Sequence, residues 1–244
     1  MVIYWRERCY TCYTLGYSVN RFHSEYFVSL NLDRSQRLVI NSQDMAWEAS
    51  PSVGVWRKKL EREAAETGLT TSIVRYDAGT SFSAHHHPGG EEIFVLDGVF
   101  EDEHSSYPAG SYFRNPPGTF HSPKSAKGCV LFVKLNQFQA GDSTSININT
   151  QQQPWLPGRV EGLSVMPLHS YGTEHTALVR WQPGTHFLEH VHAGGEEILV
   201  LDGVFADEYG QYPKGTWVRS PNYSKHTSFS EQGCTILVKT GYMG

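Results

Sequence analysis

Residues 85–98 read HHHPGGEEIFVLDG, and residues 190–203 read HVHAGGEEILVLDG, the same phrase 105 positions later. Working outward from it, residues 79–135 align with 184–240 without a gap, and about half the positions are identical, from GTSF and GTHF to GCVLFVK and GCTILVK. That is a tandem duplication, so the chain is expected to form two domains of like fold. Glycine and proline recur at PAG, NPPG and PKG, every 8 to 12 residues between short apolar runs, which fits a sandwich or jelly-roll barrel. IFVLDGVF and ILVLDGVF read as hairpins broken at Asp-Gly. VWRKKLEREAAET (55–67) has helix formers, but its counterpart GLSVMPLHSYGTEHT (162–176) carries β-branched residues, a proline and a turn, so both read as strand-turn-strand. The expected fold is all-β, with two tandem domains at 31–142 and 143–244 after an N-terminal extension, 1–30, that has no counterpart in the second half. The polar stretch QAGDSTSININTQQQP (139–154) connects the copies.

Composition narrows the function. With Gly 23, Pro 12, 13% aromatic and 18% charged residues, the chain suits short strands and tight turns better than long charged helices. A net charge of -5 offers no basic face, so neither nucleic acid nor an anionic membrane is an expected partner. No run reaches the roughly 20 apolar residues of a membrane span, and MVIYWRERCYTCYTLGY is too interrupted for a signal-peptide core, which makes a cytoplasmic protein the expectation. Four cysteines are too few for a disulfide framework; Cys129 and Cys234, 105 apart, should occupy equivalent places without being bonded.

The quoted phrase carries the chemistry. Side chains alternate across a strand, so His85 and His87 share a face and His86 points away, and in the second copy His190 and His192 flank an apolar Val191. After the PGG or AGG turn only one of Glu91-Glu92, and one of Glu196-Glu197, can face these histidines. A third imidazole is available from a later loop, His121 or His226, 30 residues after the first glutamate. Three neutral imidazoles and a carboxylate form a borderline-hard site, suited to zinc, iron(II), manganese or nickel and not to copper(I).

The spacing Gly79, His85-x-His87, Glu91, Gly98, followed by Gly110, Pro116-x-Gly118 and His121, resembles the two motifs of the cupins; Gly184, His190, His192, Glu196, Gly203, then Gly215, Pro221 and His226 repeat it. The resemblance implies two jelly-roll β-barrels, one divalent metal ion in each, and Glu91 and Glu196 as the ligating acids. More narrowly, HPGGEEIFVLDGVFEDE followed by YPAGSYFRNPPGTFHSP is similar to the cupin of ChrR-like anti-sigma factors, a group that includes small oxygenases cleaving diketone-type substrates. The likeness covers roughly residues 31–244 as two copies. One departure stands out: Tyr223 occupies the place of a motif glycine, in a loop that needs positive φ, so the second site is expected to be altered or more crowded.

Other residues have two readings each. Arg114 and Arg219, at matching places before the histidine loops, could bind a substrate carboxylate or simply pair with a neighbouring acid. Tyr76 and Trp181 could line a cavity or be core aromatics. Cys9 and Cys12 form a CxxC, but the zinc module that accompanies ChrR-like cupins needs a histidine where Trp5 stands, so sigma-factor binding is not expected. The function implied by the resemblance is a zinc- or iron-binding sensor or regulatory bicupin without its own sigma-binding module. The alternative is a non-heme iron(II) dioxygenase cleaving small diketones or hydroxyketones. Either admits a small-molecule ligand in the barrel and a homo-oligomer.

Overall fold

A computed structural model describes residues 29–243, almost entirely as antiparallel strands and turns. In the first half, Val55–Arg62, Thr70–Tyr76, Cys129–Leu135, Glu91–Glu101 and Ser111–Asn115 lie side by side in that order. Leu163–Tyr171, Glu174–Trp181, Cys234–Thr240, Glu196–Asp207 and Thr216–Ser220 repeat the order in the second half. The strand-turn-strand reading of 55–67 and 162–176 holds, because the barrel wall needs a strand there and tertiary pairing overrides the helix formers.

At their edges the sheets do not follow the linear halves. Leu38–Asn41 pairs with Thr216–Ser220 of the second sheet, and Ile146–Asn149 pairs with Ser111–Asn115 of the first. Each exchanged strand then turns through a short 3-10 segment whose entry is capped by an asparagine, Asn41 or Asn149. Each barrel thus takes its edge strand from the segment that precedes the other barrel's own sheet.

The apolar runs IFVL and ILVL are unbroken because both faces of these strands are buried. Ile93 and Val95 face one barrel core, Ile198 and Val200 the other, whereas Phe94 and Leu199 face a third cluster shared by both halves. That shared cluster also holds Leu60, Tyr112, Met166 and Trp217. Buried ion pairs cross the same junction with the symmetry of the duplication: Lys134 Nζ lies 2.7 Å from Glu197 Oε2, and Lys239 Nζ 2.7 Å from Glu92 Oε2. Arg114 is fully buried against Asp142 (2.6 Å), His169 and Glu174, and Arg219 against Glu61 (2.5 Å) and the carbonyls of Asn31 and Asp33. Both arginines are therefore structural, and neither lies free for a substrate.

The Asp-Gly hairpin expected in each copy is not formed. Glu91–Glu101 and Glu196–Asp207 are continuous strands, with a β-bulge that skips Leu96 or Leu201. Gly98 and Gly203 sit at φ +72, and a Cβ on either would overlap the carbonyl of Gly128 or Gly233. The glycine serves close strand approach, not a two-residue turn. The actual reversal comes later, at Asp102–Ser105, where Asp102 Oδ1 accepts from the backbone N–H groups of His104 and Ser105, both at 2.8 Å. Cys129 and Cys234 are buried, unbonded and equivalent, opposite Gly98 and Gly203. Cys9 and Cys12, with most of the proposed extension, lie outside the described residues.

Candidate metal centres

The histidine strand His85–His87 pairs with Thr119–His121, and His190–His192 with Ser224–His226, so each third histidine is delivered directly opposite the first. In the second barrel, His190, His192, Glu196 and His226 each offer a donor atom within 4.8 Å of the others. Glu196 Oε1 is 3.4 Å from His192 Nε2, Glu196 Oε2 3.5 Å from His226 Nε2, and the two Nε2 atoms are 3.0 Å apart. In the first barrel, His85, His87 and His121 form such a group, and Glu91 Oε2 lies 3.6 Å from His87 Nε2 and 3.5 Å from His121 Nε2. Donors that share one small cation at about 2.1 Å are themselves about 3–4 Å apart, so the second group of four and the three imidazoles of the first suit a single ion. Glu91 reaches His87 and His121 but does not lie within 4.8 Å of all three histidine donors. His86 turns away and packs on exposed Phe120, as alternation requires. Glu92 and Glu197 point into the junction between the barrels.

The donor set fits a cation on independent grounds. His87 Nε2, His121 Nε2 and Glu196 Oε2 are buried with no hydrogen-bond partner, an arrangement that costs free energy unless something binds them. Backbone carbonyls hold the tautomers: His85 Nδ1 is 3.3 Å from Ser83 O and His190 Nδ1 2.9 Å from Leu188 O, which leaves each Nε2 facing the group. Asp102 and Asp207 do the same for the third histidines, with Oδ2 3.4 Å from Nδ1 of His121 and of His226. These aspartates are the site residues that sequence reasoning missed. Their signal was the shared acid four positions after the bulge glycine, in GVFED and GVFAD. In the second barrel Arg37, from the exchanged segment, also reaches Asp207 Oδ2 at 2.9 Å.

Burial pushes the Glu91 carboxyl up to about 8 and Glu196 up to about 7. It also holds His87 and His192 down at about 3, helped by the neighbouring imidazoles. For His226 burial is outweighed by Asp207 and Glu196, so it lies above its usual value. A cation requires an ionised carboxylate and neutral imidazoles, and below those carboxyl values it must displace a proton. Cation affinity is therefore expected to rise by at least about tenfold per pH unit up to about 8 at the first centre and about 7 at the second, more steeply at the second where His226 also holds a proton. Calorimetric titration in buffers of different ionisation enthalpy reads the released proton; an affinity flat across that range contradicts the assignment.

The second loop keeps the backbone of the first despite its tyrosine. Tyr223 adopts φ 59 where Gly118 has φ 86, and its N–H reaches His192 O at 2.9 Å just as Gly118 N–H reaches His87 O at 2.9 Å. Its ring is 72% exposed, so the expected crowding does not arise and the cost is backbone strain alone. Tyr223→Gly is expected to raise stability by about 0.5–1 kcal/mol in denaturant unfolding while leaving metal content unchanged. A loss of metal from this variant would give the tyrosine a direct part in the site.

Each group opens on a cavity inside its barrel. The first, about 130 Å³, is lined by His85 and Glu91 together with Tyr76 and Phe82. The second, about 350 Å³, is lined by His190, His192 and Glu196 with Trp181, Phe187 and Phe205. Tyr76 and Trp181 thus serve both as core aromatics and as cavity wall.

Two duplicated barrels, each presenting a histidine-rich pair of short strands beside a glutamate, define a tandem cupin. The chain belongs to the ChrR cupin-like family, whose domain model matches residues 35–139 and again 143–244. No curated protein matches it. Among solved structures it is similar to a proposed dioxygenase from Nostoc punctiforme, at 16% identity and a TM-score of 0.72, covering 86% of this chain and 83% of that one. It is also similar to a deletion mutant of Bacillus subtilis oxalate decarboxylase (14%, TM-score 0.60, 83% and 76%). A third is a cupin 2 conserved barrel protein from Leptotrichia buccalis (11%, TM-score 0.57, 83% and 95%). At these identities the likeness is one of fold. Among the described residues no helix is long and apolar enough to cross a membrane.

Proposed function

We propose that each barrel holds one divalent cation, on His85, His87, Glu91 and His121 in the first and on His190, His192, Glu196 and His226 in the second. We further propose that the protein is a metal-dependent enzyme of dioxygenase type acting on a small carbonyl compound. The observation that carries the enzyme reading is the cavity beside each donor group, reached by His85 and Glu91 or by His190, His192 and Glu196. A purely structural ion needs no such space. The chemistry a divalent cation supplies there is Lewis-acid polarisation of a carbonyl or enolate and, for iron(II), redox activation of dioxygen. The chain's own residues position the reactants. Tyr76 and Phe82, or Trp181 and Phe187, wall the substrate from bulk water, while Asp102 and Asp207 fix the third imidazoles.

Family membership favours a second reading, a regulatory bicupin in which zinc is closed by its four protein donors and responds to a signal. Manganese and nickel suit the same donors. Metal analysis of protein purified without added metal, followed by oxygen-uptake assays against 1,3-diketones and hydroxyketones, separates the two. Iron with substrate-dependent uptake supports the enzyme; two zinc per chain with no uptake overturns it.

A further inference from the structure

The two cavities differ in one respect that duplication does not explain. Arg62 lines the first cavity along with His85 and Glu91, is only 3% exposed, and has two nitrogens, Nε and Nη1, with no hydrogen-bond partner among the described residues. Ser72 Oγ, on the same wall and 1% exposed, is also without a partner. The other arginine there, Arg57, is already neutralised by Glu66 at 2.9 Å. Strand register puts Val165 in place of Arg57 and Ala177 in place of Ser72 in the second barrel, and the arginine lining that cavity, Arg159, is exposed. Burial and the nearby Arg57 charge pull the Arg62 pKa down more than the carboxylates of Glu66 and Glu48 hold it up, and neither acid reaches the guanidinium with a hydrogen bond. A buried cation with unused donors is completed by an anion.

We propose that the first cavity binds a small carboxylate, with its carboxylate on the Arg62 guanidinium and the Ser72 hydroxyl and its other polar end directed at His85 and Glu91. The orientation of that far end rests on the metal reading above; the carboxylate anchor does not. A cavity near 130 Å³ is slightly smaller than the one of about 150 Å³ that takes benzene, so it suits a short-chain molecule of about six non-hydrogen atoms. The second cavity, larger and without a buried arginine among its lining residues, takes neutral ligands instead.

Acetoacetate and acetylacetone test this directly, because they differ by a carboxylate oxygen in place of a methyl group. Their binding is measured by calorimetry on zinc-loaded and on chelator-treated full-length protein, where no turnover intervenes. A preference for acetoacetate of about tenfold or more is expected in the wild type, and Arg62→Leu is expected to abolish it, bringing the two ligands to like affinity, while zinc content is unchanged. Ser72→Ala, which keeps the guanidinium, should weaken acetoacetate alone by about threefold. Equal binding of the two ligands by the wild type overturns the proposal without any variant, and so does a preference that survives in Arg62→Leu. A preference that depends on Arg62 but is the same with and without zinc supports the anchor and counts instead against a ligand-binding metal in that barrel.

Discussion

Arg219→Met is expected to lower the free energy of unfolding by about 3 kcal/mol, because it leaves the buried Glu61 carboxylate with only the partly exposed Arg34, 3.5 Å away, and the Thr71 hydroxyl for partners. Arg219 and Glu61 are both fully buried, 2.5 Å apart, and the same guanidinium donates to Asn31 O at 2.6 Å and Asp33 O at 2.8 Å. It therefore clasps the segment that leads into the exchanged strand Leu38–Asn41, besides bridging the two halves. For a chain of this size the loss corresponds to a midpoint lower by about 10 °C in a thermal melt. Lys225→Ala, which breaks an exposed pair with Glu189 at 3.3 Å, serves as the control and should shift stability by no more than about 0.5 kcal/mol. Equal small effects from both variants would mean that the junction is hydrated and the barrels are docked by their apolar cluster alone.

His87→Ala and His192→Ala are each expected to remove one metal equivalent, since each deletes an imidazole that is largely withdrawn from water and lies within 3.6 Å of the glutamate of its group. The double variant should carry none, and His86→Ala should match the wild type because its ring lies against Phe120 on the outer face. Elemental analysis after dialysis reads the four variants and the wild type on one scale. Loss of metal from His86→Ala would mean that the strand faces opposite to its assignment.

Much of this was legible in the chain. The duplication gave two barrels, and period-two alternation placed His85 and His87 together while turning His86 outward; the motif spacing then chose Glu91 over Glu92. Three features were not legible, each for a physical reason. Asp-Gly reads as a turn in local propensity, yet Gly98 and Gly203 are needed where a neighbouring carbonyl leaves no room for a Cβ, and only the packed sheet reveals that. The exchange of edge strands depends on which sheet edge a segment reaches, and Leu38–Asn41 carries no residue that names its partner. Arg114 and Arg219 look alike whether they meet a substrate or an acid, because the acids that claim them come from distant segments: Asp142 and Glu174 for one, Glu61 for the other. Tyr223 was legible as a departure but not in its outcome. Local strain proved cheaper than rebuilding the loop, so the backbone stayed and the ring went to solvent.

The central claim is that each half of the molecule gathers three imidazoles and one carboxylate around a single cation. Anaerobic titration of chelator-treated protein with cobalt(II), followed by its visible absorption, counts such centres and reports their donors at once. Saturation at two equivalents in the wild type and one in His192→Ala is the result expected. Saturation at none, or a wild-type stoichiometry that the histidine variants leave unchanged, would contradict it.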